Sequence, residues 1–487
     1  MKHLSVRSLI VAAIGSFLVS MSSIYVALRM GALPWPTVFA AIFSMFILRF
    51  FKADIHEINV AHTGISAGGL VAGGLAFTVP AAWVVGLSPK LVFILGAASV
   101  GAVFGVGMTL STRKKYVEEQ KLPFPMGIAA AETLKAGDEG GKKAKTLFTW
   151  MGISAVFTYL RDGLGWIPVV FHGFGMFPMA IGIGFIIGSL YTMSWLAGGV
   201  TSIVLAHFGI TATNFGLGMI VGGGLGMMLS GLFKSGKFLE ITKIDIIVML
   251  VVFVLSLIFH VGIVASLFLM ILGFLMVHMA GAVDGTSGID PMEVFAIITL
   301  MLTRAVVDIS PQAAVFIAAT IAVATGIAGD SLQDMKTGYI LKTNPKAQLV
   351  SEAVGAAVGV LVSTFVLYAI YSKFGPEAFG PSKTFPIPQA MAVSNFVKTS
   401  SVNPQFIWGI VVALVLQLLK LPALTFGIGL YLPLSITLPV AVGGVIRLIL
   451  DLTRKDKIDT GMIISSGLLG GEGITGILIG LFLPGSF

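Results

Sequence analysis

The chain has 487 residues, of which 56% are hydrophobic and only 11% are charged, and its mean hydropathy is +1.00. Soluble domains carry about 25% charged residues, so this composition excludes a soluble globular fold. The chain has no cysteine, which excludes disulfides, thiolate metal sites and a cysteine nucleophile. Its net charge of +8 lies in short loops between apolar segments, as in membrane proteins, and does not indicate nucleic-acid binding.

Long apolar segments follow one another along nearly the whole chain. A helix that spans a bilayer needs about 20 mostly apolar residues. The segments of this kind are 6–28, 34–51, 58–79, 90–112, 145–160, 176–209, 214–234, 245–261, 262–282, 291–307, 312–329, 348–372, 404–421, 423–451 and 459–482. Because the longest runs can cross twice, we predict an all-α multi-pass membrane protein with about 15 to 17 transmembrane helices. Lys2 and Arg7 precede the first segment without a small-residue cleavage site, so we expect this helix to be retained.

Short strings recur in the same order in the two parts of the chain, which indicates an internal duplication. The matching pairs are Pro36–Ala40 with Pro291–Ala296, Thr63–Ile65 with Thr325–Ile327, Pro123–Pro125 with Pro386–Pro388, Gly182–Gly184 with Gly427–Gly429, and Gly218–Ile220 with Gly461–Ile463. Each match alone is weak in a chain rich in glycine and alanine, but their common order is not expected by chance. We therefore predict two homologous transmembrane repeats, 1–240 and 262–487, joined by a linking transmembrane helix within 241–261.

The positions of the basic loops predict how the two repeats are oriented. In the first repeat the basic loop, with Arg113 and Lys114, follows the fourth segment. In the second repeat the basic loops follow the third segment, at Lys336–Lys346, and precede the last, at Arg454–Lys457. Since cytoplasmic loops carry the positive charge, this pattern predicts inverted repeats, which in transporters hold a substrate site between them. A parallel duplication with irregular charge placement remains the alternative.

A polar face marks the start of the third apolar segment. His56, Asn59 and Thr63 fall on one side of a helix, with His62 beside them and small residues after them. This arrangement favours contact with a ligand, and a capped helix start with small-residue packing is the alternative. The spacing of the histidines and Glu57 is not that of a His-Glu-x-x-His site, so no metal site is predicted.

Acidic residues within or directly after apolar segments are candidate proton carriers, because an ionisable group at membrane depth is costly and usually functional. Asp330 and Asp334 share one helical face in the second repeat, and Glu472 lies among glycines in the last apolar segment. The alternative for the first two is a helix end that emerges into the cytoplasm. Asp284 and Asp290 precede a predicted helix, so we expect them to cap it.

Two short amphiphilic segments, 122–137 and 384–398, are predicted to be re-entrant or interfacial helices. Each enters through a proline pair and ends on a lysine, Lys135 or Lys398. The positive N-terminal end of such a helix can face a substrate carboxylate. Interfacial helices whose lysines reach the lipid headgroups are the alternative.

Several of these strings resemble the oligopeptide transporter (OPT) family, which includes the yellow-stripe-like metal–chelate carriers. The resembling stretches are His56–Gly69, Leu122–Gly137, Gly329–Tyr339, Gly427–Pro433 and Gly467–Gly473. They keep the family's order over nearly the whole chain, and the block that begins at Gly329 is the most specific. Where the family often has glutamate after Leu-Pro-Phe-Pro, this chain has Met126. The short loops resemble those of prokaryotic members.

The resemblance implies a secondary active transporter that takes up small oligopeptides or peptide-like compounds with protons, by alternating access, across the cell membrane. Metal ions bound to peptide-like chelators are the alternative substrates. We expect no cofactor, no enzymatic activity and no nucleic-acid partner; substrate, protons and the lipid bilayer are the expected partners, and a homo-oligomer is one option. A membrane-embedded hydrolase would need a dense carboxylate or histidine cluster, and a passive channel would be built from symmetric subunits, so both are disfavoured.

The residues predicted to form the site fall into two groups. The predicted substrate contacts are His56, Asn59, His62, Lys135, Gln333, Asn395, Lys398 and Tyr431. The predicted proton carriers are Glu132, Asp330, Asp334 and Glu472.

Overall fold

The computed structural model describes residues 2–30, 36–139, 141–209, 212–220, 222–223, 226, 241–288, 290, 292–380, 383–385, 387–398 and 404–482. Most of these residues are helical and almost none are in strands, so the predicted all-α fold class is confirmed. Most of the predicted segment 214–234 lies outside the described residues.

The first part of the chain contains ten α-helices and one short hairpin among the residues described. The helices are α1 (Val6–Met30), α2 (Pro36–Arg49), α3 (Ile55–Ala76), α4 (Pro80–Val84), α5 (Leu91–Arg113), α6 (Pro125–Glu139), α7 (Gly141–Thr158), α8 (Pro178–Ile187), α9 (Ser189–His207) and α10, helical at 213–220. Two π-helical segments, Lys114–Glu119 and Tyr159–Gly163, extend α5 and α7. Strands β1 (Val170–Phe171) and β2 (Phe174–Gly175) pair antiparallel between α7 and α8.

The second part of the chain continues with ten further α-helices. They are α11 (Lys243–Ile258), α12 (Ile263–Ser287), α13 (Met292–Arg304), α14 (Pro311–Leu341), α15 (Pro345–Phe374), α16 (Pro388–Lys398), α17 (Pro404–Leu418), α18 (Ala423–Tyr431), α19 (Leu434–Thr453) and α20 (Ile458–Phe482). Two 3₁₀ turns, Pro376–Ala378 and Lys455–Lys457, lie in the connections after α15 and α19.

Eight helices among the described residues are long and apolar enough to cross a membrane, which makes the chain a multi-pass membrane protein. They are α1, α3 with α4, α5 with its π-helical end, α9, α12, α14, α15 and α19. Other apolar helices are shorter: α8, with 10 residues, is about 15 Å long, half of a bilayer core of about 30 Å. The larger predicted number, about 15 to 17 crossings, includes such short helices and stays a prediction.

Polar caps fix the starts of the central helices. Asp54 accepts a hydrogen bond from Glu57 N at the start of α3, and Ser310 accepts one from Ala313 N at the start of α14. A cap of this kind satisfies backbone N–H groups that have no partner inside the helix. The caps therefore fix the residues at which α3 and α14 begin.

Helices α3 and α14 belong to the two most buried of the eight candidate spans, and they lie side by side at the centre of the molecule. Helix α3 also packs against α1 and α15, and α14 packs against α5, α12 and α13. Small residues at the contacts let the backbones approach closely. At the crossing of α15 with α3, a Cβ atom on Gly355 would lie only 1.7 Å from the carbonyl oxygen of Gly64.

The basic ends of several helices converge on one side of the molecule, which we call the basic face and define by Arg7, Arg49, Lys52, Lys342 and Lys346. Arg7 at the start of α1 binds Glu57 at the start of α3. The backbone N–H of Asn344 donates a hydrogen bond to Nδ1 of His3. Arg49 pairs with the end of α6. The positive-inside rule predicts that the basic face is cytoplasmic.

Replacing Gly355 by alanine should lower the thermal stability of the purified protein, because the added methyl group overlaps the backbone of α3. Overpacking of this kind typically costs about 1–3 kcal/mol. The matched control is Gly152→Ala in α7, where an added methyl group meets nothing within 4 Å and should stabilise by up to about 1 kcal/mol. Thermal unfolding in detergent measures both variants, and equal Tm values would contradict the close crossing.

Candidate functional site

A buried carboxylate lies where α14 meets α2 and α3. Asp330 Oδ1 accepts a hydrogen bond from Thr37 Oγ1 at 3.0 Å, and its Oδ2 accepts one from Ser66 Oγ at 2.7 Å. The residue is only 3% exposed. Asp330 therefore lies inside the protein and not at a helix end that emerges into solvent. Both of its hydroxyl partners come from the first part of the chain, so the carboxylate joins the two parts.

One helical turn further along α14, Asp334 faces His62 of α3. His62 Nε2 and Asp334 Oδ1 are 3.1 Å apart, without the alignment of a hydrogen bond. The other ring nitrogen, Nδ1, lies 3.2 Å from Asn59 Oδ1. All three residues are buried. The structure thus brings together four of the predicted site residues: Asn59, His62, Asp330 and Asp334.

Two glutamine side chains fix α14 against its neighbours. Gln333 accepts a hydrogen bond from Gly127 N of α6 at 2.9 Å and donates one to the carbonyl oxygen of Asp284 at 3.2 Å. Gln348 of α15 donates to Thr63 Oγ1 at 3.0 Å and to the carbonyl oxygen of Asp334 at 2.9 Å. Gln333, a predicted substrate contact, thus binds protein through both polar atoms in this conformation.

Glu352 of α15 is a buried acidic residue that the sequence analysis missed. Its Oε1 accepts hydrogen bonds from Ser331 Oγ at 2.6 Å and Thr109 Oγ1 at 2.9 Å, whereas its Oε2 has no hydrogen-bond partner. The signal that could have found it is a single glutamate in the apolar span Pro345–Phe374, since such residues usually face the inside of a helical bundle.

The prediction that Asp284 caps the next helix is wrong, because α12 continues past it to Ser287 and the side chain is buried. Asp290 lies against α14: a Cβ atom on Gly329 would be 2.7 Å from Asp290 Oδ2. Neither oxygen of Asp290 nor Oδ2 of Asp284 has a hydrogen-bond partner. The region around Asp330 is therefore more acidic than the sequence analysis expected.

Glu472 lies in a second, separate cluster. Its Oε1 is 2.9 Å from Arg161 Nη2, and its Oε2 accepts a hydrogen bond from Met179 N at the start of α8, at 2.7 Å. Arg161 also pairs with Asp162 at 2.5 Å, and all three charged residues are buried. Arg161, Asp162 and Glu472 therefore form a buried triad of one cation and two carboxyl groups.

The other predicted residues lie apart from His62 and Asp334. Lys135 pairs with Glu132 on α6 at 3.3 Å, and Tyr431 donates to Glu293 Oε1 at 3.5 Å. Asn395 is exposed, and the side chain of Lys398 lies outside the described residues.

His56 lies at the start of α3, near the basic face, and not beside His62. It stacks on His3 at 4.2 Å, and its Nδ1 lies 3.3 Å from Thr343 Oγ1. Burial and the neighbouring His56 lower the pKa of His3.

The cluster of Asn59, His62, Asp330 and Asp334 can hold and pass a proton, since an imidazole and a carboxyl group are in contact there away from solvent. Asn59 Nδ2 and Gln348 Oε1 are buried without hydrogen-bond partners and can bind polar groups of a ligand. Among the described residues, no group of three or more His, Asp or Glu side chains has the arrangement of a metal site. Proton transfer and polar ligand binding are therefore the chemistry that this cluster supports.

Replacing Arg161 by methionine should strongly destabilise the fold, because Asp162 and Glu472 would be left buried without a cation. Breaking a buried ion pair by removing one partner costs about 3–5 kcal/mol. The matched control is Arg447→Met, whose partner Asp451 is partly exposed, and whose loss should cost at most about 1 kcal/mol. The two variants are compared by thermal unfolding in detergent, and a double variant, Arg161→Met with Glu472→Gln, should recover part of the loss. If Arg161→Met unfolds at the Tm of the control, the triad contributes little to stability.

Comparison with known proteins identifies the family. The sequence model of the OPT oligopeptide transporter protein family matches residues 3–216 and 240–483. A Haemophilus influenzae protein named for oligopeptide transport is 25% identical, over 95% of this chain and 93% of its own length. The metal-nicotianamine transporter YSL3 of Arabidopsis thaliana is 26% identical over 30% of this chain and 25% of its own length. The chain therefore belongs to the OPT oligopeptide transporter family.

Proposed function

We propose that the protein is a secondary active transporter of the cell membrane that takes up small oligopeptides or peptide-like compounds together with protons. The observation that carries this proposal is the buried contact between His62 of α3 and Asp334 of α14, with Asp330 one turn away. A charged carboxyl group at this depth is costly, so a proton bound there is held by the protein until the site opens. Such a group can couple substrate binding to a proton gradient.

We also propose that the two repeats are inverted and that the site alternates between the two sides of the membrane. Similar lengths in three helix pairs support the duplication: α1 and α12 have 25 residues each, α2 and α13 have 14 and 13, and α9 and α19 have 19 and 20. Helix α11 has no counterpart in this order and would be the linking helix. Orientation supports the inversion, since α3 begins at the basic face whereas α14 ends there, with Thr343 next to His56.

Substrate would bind beside the carboxylates, at the polar groups that have no protein partner. Asn59 Nδ2 and Gln348 Oε1 offer a donor and an acceptor, as a peptide bond requires. Gln333 and Tyr431 would join the site when their present hydrogen bonds open, and Glu132 and Glu472 stay proposed proton carriers. His56, Lys135, Asn395 and Lys398 stay proposed substrate contacts outside the central cluster.

The second candidate substrate class is a metal ion bound to a peptide-like chelator. Relatives named as metal-nicotianamine transporters favour it. A chelate presents carboxylates and amines like those of a zwitterionic peptide, so the same polar groups could contact either substrate.

Replacing Asp334 by asparagine should abolish the response of uptake to a proton gradient, because the amide cannot carry the proton. Coupling free energies are typically about 1–3 kcal/mol, so we expect gradient-driven uptake to fall about 5- to 150-fold. The measurement is uptake of a labelled tripeptide into proteoliposomes, with and without an uncoupler. Asp451→Asn, on the partly exposed end of α19, is the matched control and should keep the gradient response. Full gradient dependence in Asp334→Asn would remove this residue from the coupling role.

The two substrate classes are distinguished by competition in the same proteoliposomes. If the protein carries peptides, unlabelled tripeptide should block uptake of the label, and a nicotianamine-type chelator should block it no better with metal than without. Inhibition only by the metal-loaded chelator, or uptake of the radioactive metal with its chelator, would assign the protein to metal–chelate transport.

A further inference from the structure

An apolar groove of about 670 Å³ opens on the side of the molecule between α7, α8, α19 and α20. Helix α8 contributes Ile181 and Phe185 to its lining. Two glycines of the groove let α19 and α20 approach α8: a Cβ atom on Gly443 would lie 1.9 Å from the carbonyl oxygen of Ile181, and one on Gly461 would lie 2.2 Å from the Phe185 ring. Close packing of these three helices therefore closes the groove on its inner side.

Each helix that lines the groove contributes residues from one of its faces. Helix α7 contributes Trp150, Ile153 and Phe157, which recur at the spacing of a helical face. Along α20 the lining extends from Lys457, just before the helix, to Leu468. At 1.5 Å per residue this distance is about 16 Å. Along α20 the lining therefore covers about the depth of one leaflet, half of a hydrocarbon core of about 30 Å.

The groove is open on the outer surface of the molecule. Ile153 of α7 is 50% exposed and Ile446 of α19 is 44% exposed, although both line the groove and neither has a polar atom on its side chain. A peptide segment bound there would leave most of its backbone N–H and C=O groups without partners, which is costly in an apolar site. An acyl chain has no such groups and fits this lining.

One end of the groove lies at the level of the basic face and carries positive charge. Helix α20 runs beside α7 in the same direction, with Gly467 against Leu147. Helix α7 begins directly after α6, and the end of α6 pairs with Arg49 of the basic face. The starts of α7 and α20 therefore lie toward the basic face. Lys457 is exposed and lines the mouth of the groove. The neighbouring charges are Arg454 and Lys455, both basic, and Asp456 and Asp459, both acidic. The mouth therefore carries one more positive than negative charge.

We propose that this groove binds an acyl chain of an anionic phospholipid from the leaflet at the basic face, with the lipid phosphate at Lys457. The apolar stripe holds the chain over the depth of one leaflet, and the lysine selects an anionic headgroup. Basic pockets between transmembrane helices recognise such headgroups in the same way. The site is separate from the carboxylate cluster and does not depend on the transported substrate.

The test uses the full-length protein in nanodiscs of phosphatidylcholine that contain phosphatidylglycerol with a photoreactive acyl chain. We expect crosslinks to α7, α19 or α20 at groove residues, displaced by unlabelled phosphatidylglycerol more readily than by phosphatidylcholine. Lys457→Gln should weaken the preference for phosphatidylglycerol about fivefold, the contribution of one lysine near an anionic surface. Lys346→Gln, an equal charge change on the basic face but outside the groove, should leave the preference unchanged.

A second pair of variants tests the apolar part of the groove. Ile464→Trp would fill it and should remove the groove crosslinks for every lipid, whereas Ile271→Trp, at an exposed apolar position of α12, should not. Crosslinks elsewhere only, an equal effect of Lys457→Gln and Lys346→Gln, or unchanged labelling of Ile464→Trp would each overturn the proposal.

Discussion

The structure depends on the contact between α3 and α14, which places ionisable groups where water is excluded. Asp330, Asp334 and His62 lie within this contact, and each has its polar atoms near a hydroxyl, an amide or another ionisable group. In a lipid-embedded protein an isolated charge at this depth would cost several kcal/mol. The helices can bury these groups only because the partners come from both parts of the chain and are held in register.

The alignment of these helices along one another depends in turn on the close approach of their backbones. Gly64 of α3 and Gly355 of α15 leave no room for a side chain between their helices, so α15 presents Gln348 and Glu352 directly to α3, α5 and α14. The same principle operates at the other cluster, where α8 starts against α20 and its first N–H group, that of Met179, donates a hydrogen bond to Glu472. Small residues thus let neighbouring helices approach closely, and the polar groups that meet there hold these helices in place.

The two charged clusters involve different elements. The first joins α2, α3, α14 and α15, and the second joins the π-helical end of α7, the start of α8 and α20. Under the proposed function, a proton that moves in the first cluster changes the interaction between the two repeats. In the second cluster Glu472 already pairs with Arg161, so its part in coupling would require that this pair opens.

Composition and local pattern were sufficient to predict an all-α membrane protein, because the bilayer requires long apolar helices whatever their neighbours are. They selected Asp330 and Asp334 as candidate proton carriers on one helical face, but left open whether these residues lie inside the protein or at a helix end in the cytoplasm; the packing of α14 decided this. The sequence could not pair His62 with Asp334, place His56 near the basic face or find Glu352, because those positions depend on which helices meet and at what depth. It also misread Asp284 as a cap, since the end of α12 is decided by packing against α14. The chemistry of each residue was determined by the sequence, and its partner only by the tertiary structure, since contacts between distant segments follow from helix packing and not from spacing along the chain.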